Sequence, residues 1–229
     1  MLVNEQVYHV FSRSIARYKI FNTEIDYNRI VQAIRYYRRA KNDIRFSRFI
    51  KLSYANKYKY NAGHADGNYL VDIIAYCIMP THIHLILKQK TDGGVSQFMK
   101  NILNSCTRYF NVKHNRKGPL WESRFKSVLA ESDEYLLHLT RYIHLNPVTA
   151  ELAEKPEDWK ASSYNEYIRG DKIIEPVCDL RGLLEIKPHE YKAFVDDRIA
   201  FQRELHKIKS LLLDRPGPLR RRSKRAPDL

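Results

Sequence analysis

Acidic residues are scarce in this chain. Its 26 Asp and Glu face 40 Lys and Arg, a formal charge of +14 with pI ≈ 9.6. Such a field favours a polyanion such as DNA, RNA or an anionic membrane surface. Long apolar runs are missing too: none approaches the roughly 18 residues of a membrane span. The N-terminus lacks the charged and apolar regions of a signal peptide, so a cytoplasmic, nucleoid-associated protein with no membrane partner is expected. Cysteine is rare. Cys77, Cys106 and Cys178 are dispersed and follow no CxxC spacing, which excludes a disulfide framework and a cysteine zinc site. Cys77 sits in an apolar run and reads as a small core residue. No internal repeat is visible.

Enough remains to build a core, because 44% of the 229 residues are hydrophobic. Residues 5–13 read as a first strand, rich in aromatic and β-branched side chains. Thr23 can cap a helix running to about Lys41. Residues 44–54 fit a helix at least as well as a strand, and 55–68 read as a long loop or hairpin tip. Residues 69–80 and 82–89 read as adjacent strands joined by a tight turn at Pro80-Thr81. A helix over 95–112, a basic loop over 113–119 and a strand over 125–130 follow. Ser132 can cap a helix that Pro147 should end at Asn146. A loop over 156–163, a short helix over 164–168 and one long charged helix over 188–213 complete the pattern. Residues 215–225 read as a disordered basic tail. Strands and helices mixed without βαβ alternation predict an α+β fold, an antiparallel sheet with helices on one side. A domain over 1–168 and a helical extension over 169–229 are expected.

The most informative stretch is Pro80-Thr81-His82-Ile83-His84-Leu85. On a strand, residues i and i+2 share a face, so the imidazoles of His82 and His84 project together. Two neutral imidazoles are a ready pair of metal ligands. Taken alone, two partly buried histidines beside polar partners explain the pattern as well. On the helix from Ser132, the four-residue spacing puts His138, Tyr142 and Asn146 on one face, while Leu136, Leu139 and Ile143 share another that can meet the core. A tyrosine hydroxyl is a weak nucleophile with pKa about 10. It can attack a phosphodiester when a divalent cation polarises the phosphate. The resulting phosphotyrosine ester keeps the energy of the broken bond, so the strand can be rejoined. The pattern shows no carboxylate beside the histidine pair to activate water. Tyr135 is the rival nucleophile on the same face. Asn146 serves as ligand or helix end equally well. His138 reads as a packing or substrate-side residue, and His144 points away from Tyr142.

Together, Tyr8-His9-Val10-Phe11-Ser12-Arg13, the 75–85 segment, Gly118-Pro119-Leu120-Trp121-Glu122-Ser123-Arg124-Phe125, Arg141-Tyr142-Ile143-His144-Leu145-Asn146-Pro147 and Trp159-Lys160-Ala161-Ser162-Ser163-Tyr164 resemble the HUH-type single-tyrosine transposases, most closely the REP-associated branch. The resemblance spans roughly residues 5–168. It implies a ferredoxin-like (RRM-like) core with the histidine pair on a central strand. It also implies nicking and joining of single-stranded DNA near REP-like hairpins with Mg²⁺ or Mn²⁺. By position His82 and His84 match the metal ligands, Tyr142 the nucleophile and Asn146 the polar third ligand. Asn146 departs from the glutamine common in related enzymes, and Thr81 from the Asn usual before the pair. Monomers and homodimers both occur among such relatives.

Other readings coexist. A domesticated member could be a binding module for structured DNA or RNA without cleaving it. A hydrolase could use the histidines with an activated water. Arg13, Arg38, Arg39, Arg45, Arg48, Arg116, Lys117 and Arg124 are candidate DNA contacts, several interleaved with Tyr36, Tyr37, Phe46 and Phe49. The basic 220–225 cluster would add salt-sensitive affinity.

Overall fold

A computed structural model of the chain describes residues 2–62, 68–170, 173, 176–179 and 186–204. Strands β1 (Val7–Arg13), β2 (Val71–Met79), β3 (His82–Gln89) and β4 (Lys126–Leu129) form one antiparallel sheet in the order β2-β3-β1-β4. Helix α1 (Glu24–Tyr37) lies between β1 and β2 in the chain; one-turn α2 (Phe46–Phe49) and α3 (Tyr54–Ala62) follow it. Helix α4 (Gly94–Lys113) joins β3 to β4. This βαββαβ order with the outer strands second and fourth is the ferredoxin-like arrangement. Helices α5 (Asp133–Thr149), α6 (Tyr164–Arg169) and α7 (Pro188–Asp196) come after it. None of the helices among the described residues is long and apolar enough to cross a membrane.

Period-two alternation divides each strand between two cores. Tyr8, Val10, Ile83, Leu85 and Leu87 face the α1–α4 layer and pack with Ile30, Ile34, Phe98 and Ile102. Val7, Ala75, Cys77 and Ile86 face the other way, into a cluster with Leu136, Leu139 and Ile143 of α5 and Tyr164, Tyr191 and Val195 beyond it. Helices therefore flank both faces of the sheet: α1 and α4 on one, α5 with α6 and α7 on part of the other. The outer edge of β2 is covered, with Ile78 N donating to Ala161 O and Ser163 N to Tyr76 O, at 2.9 Å each.

Several boundaries differ from the sequence expectation, each for a local reason. Helix α1 has the expected Thr23 cap, a full capping box with Asp26. It ends at Tyr37 because the backbone beyond is drawn into pairing with 68–70: Leu70 N donates to Arg38 O and Ala40 N to Asn68 O. The stretch read as a loop holds α3. Ser53 Oγ accepts from Asn56 N, and Tyr60 packs 5.3 Å from Phe49. Pro147 lies inside α5 rather than ending it. Proline supplies no N–H to the Ile143 carbonyl; Asn146 Nδ2 donates there at 3.4 Å, and to Tyr142 O at 2.9 Å. The helix continues to Thr149 on this patch. Helix α7 stops at Asp196, where Arg198 N turns back to Val195 O. The single long helix expected over 188–213 is thus broken at 197–198, with residues 205–213 and the basic tail outside the described residues.

Candidate functional site

His82 and His84 share the sheet face that α5 partly covers. The register sets Arg13 opposite His82 and Phe11 opposite His84, so alternation also brings His9 to this face. The His9 and His84 rings stack at 5.2 Å, and His9 Nε2 shares a hydrogen bond with His84 Nδ1 at 3.0 Å. Thr81 Oγ1 does the same for His82 Nδ1 at 2.9 Å. Each member of the pair is therefore held through Nδ1, which leaves Nε2 as the remaining nitrogen. This is the arrangement in which a second partner fixes the tautomer and aim of a metal-binding imidazole. His9 is a site residue the sequence reading passed over. Its signal was present, since it stands two residues before Phe11 and four before Arg13 on one strand face.

Burial holds the His9 imidazole down at about 4. His82 is also at about 4, through burial and then the Arg13 charge. His84 lies well below its ordinary value, through burial first and then His82, His9 and Arg13. All three rings are neutral at neutral pH, the form whose lone pair can bind a metal.

Helix α5 brings Tyr142 over this face. Its ring stands edge-on 6.1 Å from His84 and 6.4 Å from His9, and it is 47% exposed. A solvated phenol beside imidazoles can reach a bound phosphate. Tyr135, also exposed, has no such ring contact among the described residues. With its amide nitrogen spent on the Tyr142 and Ile143 carbonyls, Asn146 has only Oδ1 left to offer. His138, four residues before Tyr142 on α5, is a packing residue, one of the two roles expected for it. It bonds Arg141 at 2.8 Å and packs on Phe194 of α7.

A 140 Å³ recess opens beside the pair, lined by Phe11, Arg13, His82, His84, Glu122 and Lys126 among others. Glu122 overturns the expectation that no carboxylate stands near the histidines. It arrives from the loop before β4, held by Glu122 N donating to Arg13 O, a proximity no sequence spacing encodes. Among the described residues, no three His, Cys, Asp or Glu side chains form a metal-binding group. The two spare Nε2 atoms beside the recess could serve as a pair of ligands, while Asn146 does not line that recess and its amide nitrogen is bonded within α5. Nitrogen ligands suit Mn²⁺ better than Mg²⁺, which favours oxygen.

The basic candidates separate. Arg13 and Lys126 border the recess, and Arg124 lines a larger groove with Trp121 and Lys100. Arg45, Arg48 and Lys117 are exposed on other surfaces. Arg39 is buried, donating to Asn61. Arg38 donates to Val177 O and lies over Tyr69. Arg116 ties down its own loop through Asn111 and Pro119. The last three have backbone or amide acceptors within the fold.

Residues 2–146 match the family model described as "Transposase IS200 like". A curated Haemophilus influenzae protein, described as "Putative REP-associated tyrosine transposase", is 27% identical over 129 residues, covering 52% of this chain and 73% of that one. Among solved structures, a REP-associated tyrosine transposase bound to a REP hairpin aligns with 81% of this chain and 95% of its own, at 14% identity and a TM-score of 0.48.

Proposed function

The chain belongs to the IS200-like transposase family, and on that premise we propose that it nicks and rejoins single-stranded, hairpin-containing DNA through a 5′-phosphotyrosine on Tyr142. The observation that carries the reading is the meeting of three features on one face: two imidazoles with Nε2 spare, and a solvated phenol 6.1 Å from one of them.

In the forward step the Tyr142 oxygen bonds to phosphorus and the P–O3′ bond breaks. The phenolic proton is lost, the 3′ oxygen gains one, and the 5′ end stays on the protein. The reverse step regenerates tyrosine when a 3′-hydroxyl attacks the same phosphorus. His82, His84 and Asn146 would hold Mg²⁺ or Mn²⁺, which when bound polarises the phosphate. His9 and Thr81 keep the two imidazoles aimed, and Arg13 and Lys126 favour the phosphate's approach.

Incubation with a single-stranded hairpin oligonucleotide and Mn²⁺ should give a covalent adduct that survives SDS. Tyr142→Phe should abolish it; persistence of the adduct would reject Tyr142 as nucleophile. Glu122 beside the pair favours one competing reading, hydrolysis by an activated water. That chemistry would release a free 5′-phosphate, leave no adduct and tolerate Tyr142→Phe.

A further inference from the structure

The α1–α4 layer, on the side of the sheet away from the histidines, carries a 680 Å³ groove of its own. Three arginines reach it from three parts of the chain: Arg29 of α1, Arg45 just before α2, and Arg108 of α4. Among the described residues no Asp or Glu lines it. Asp26, beneath it, is buried and already taken by Lys113 at 2.6 Å and Tyr109 at 2.9 Å, and Asp43, whose charge reaches Tyr36, is engaged as well. Among the described residues neither Arg45 nor Arg108 has an ion-pair partner, and both are exposed. Convergent like charges repel, so a groove that gathers them without a counter-charge is suited to an anion.

Its walls narrow the choice of anion. Arg29 is sandwiched, its guanidinium 4.4 Å from the Tyr109 ring and 5.1 Å from Phe46. Phe46 and Tyr36 are buried as floor, while Tyr37 and Tyr109 keep part of their rings in solvent. Along α4, Asn101, Asn104 and Ser105 precede Arg108 at helical spacing, a rail of uncharged donors and acceptors. Arginine at the rim, aromatic planes within and amides alongside are the components of a single-strand platform. There the backbone meets cations and bases stack without strong sequence preference. The volume falls within the range of a small-molecule pocket, about 300–1,000 Å³, room for a short unpaired stretch.

We propose that this groove is a second DNA site, which takes an unpaired segment of the substrate strand away from the reacting phosphate. The choice of DNA rests on the strand-transfer reading above; the groove's affinity does not depend on chemistry at Tyr142. Of the basic and aromatic residues around 35–51, Arg45, Tyr36, Tyr37 and Phe46 enter the groove. Arg29 and Arg108, which complete it, come from elsewhere.

The test uses the full chain, a short fluorescein-labelled oligothymidylate and anisotropy across a salt series. In Arg45→Ala/Arg108→Ala, affinity should fall about tenfold. The slope of log K against log salt should shrink by about 1.4, at ~0.7 for each lost contact to a single strand. The wild-type protein should bind an abasic strand of equal length more weakly. Unchanged affinity and slope in the double variant would overturn the proposal, as would equal binding of the abasic strand. An oligouridylate bound as tightly, with the same loss in the variant, would overturn the assignment to DNA. Arg108→Glu should exceed the alanine effect and guards against a small signal. Should the wild type form no adduct yet lose oligothymidylate binding in the variants, the strand-transfer reading fails while the groove stands.

Discussion

His84 and His144 stand on two elements that meet on one sheet face, and both are buried with lowered proton affinity. They differ in what their rings have left to give. His84 uses Nδ1 on His9 and keeps Nε2 beside a recess. His144 uses both nitrogens, Nδ1 with Tyr191 Oη at 2.6 Å and Nε2 with Ser163 Oγ at 2.8 Å. Ser163 in turn accepts from Tyr76 N of β2. His144 thereby ties α5 to α7 and to the sheet edge. Arg141 adds to the tie, donating to Phe194 O and lying 3.9 Å over that ring. Burial and proton affinity alone do not separate these two histidines. A spare nitrogen does.

The sharpest test of this contrast is truncation of each ring. His84→Ala and His82→Ala should reduce the Mn²⁺-supported adduct below detection in a gel assay, with thermal melting little changed in His82→Ala and lowered in His84→Ala by the unpaired His9 nitrogen. His144→Ala should do the opposite. It leaves the buried Tyr191 hydroxyl without its His144 partner, while Ser163 Oγ keeps Tyr76, and an unpaired buried polar group costs ~1–3 kcal/mol on top of the cavity left by the ring. Urea unfolding should register a loss of about 2–4 kcal/mol, while protein still folded keeps adduct formation. If His144→Ala loses the adduct with stability intact, the distinction fails.

His9 lies between the two classes, since it acts through His84. His9→Ala should lower adduct yield by about 10–100-fold at limiting Mn²⁺, the usual cost of removing an outer partner. Saturating Mn²⁺ should recover part of the loss, which a purely structural role would not allow.

Acid should act on both regions together. The unfolded chain binds protons on these histidines near pH 6.5, whereas burial holds His9 and His82 to about 4 and His144 to about 3. Between those values the unfolded state carries more protons, so stability is full above about 6.5 and falls as pH drops toward 3. Replacing His144 with Gln should flatten the lower part of that curve in chemical denaturation at stepped pH.

The smallest effect is expected at Asn146. Asn146→Ala removes the donor that serves the Ile143 carbonyl above Pro147, a loss of ~1 kcal/mol. It also removes the oxygen that would join the two imidazoles. A stability loss without any shift in Mn²⁺ dependence would make Asn146 a helix patch alone.

Much of the site was legible because strands have a strict period. The alternation that put His82 and His84 together needed no tertiary information, nor did the i, i+4 spacing that aligned Tyr142 with Asn146. The apolar face of α5, read from Leu136, Leu139 and Ile143, does pack on the sheet. The misreadings fall where a distant partner outweighs local preference. Pro147 normally ends a helix, but a neighbouring amide filled the vacancy it left. The Tyr-rich 54–62 segment looks like a loop until Tyr60 finds Phe49. Arg38 and Arg39 look like DNA contacts until their acceptors, Val177 O and Asn61, are brought to them.

The sequence by itself determined which side chains share a face, because that follows from backbone periodicity within one element. It determined the strands, the helices α1, α4 and α5, and the positive field. Only the tertiary structure decided which faces meet. Register set His9 against His84, the loop before β4 carried Glu122 to the histidines, and helix packing closed both nitrogens of His144. The arginines of three separate segments were likewise gathered into one groove. Such contacts depend on how chain segments far apart are folded together, and local spacing carries no record of that.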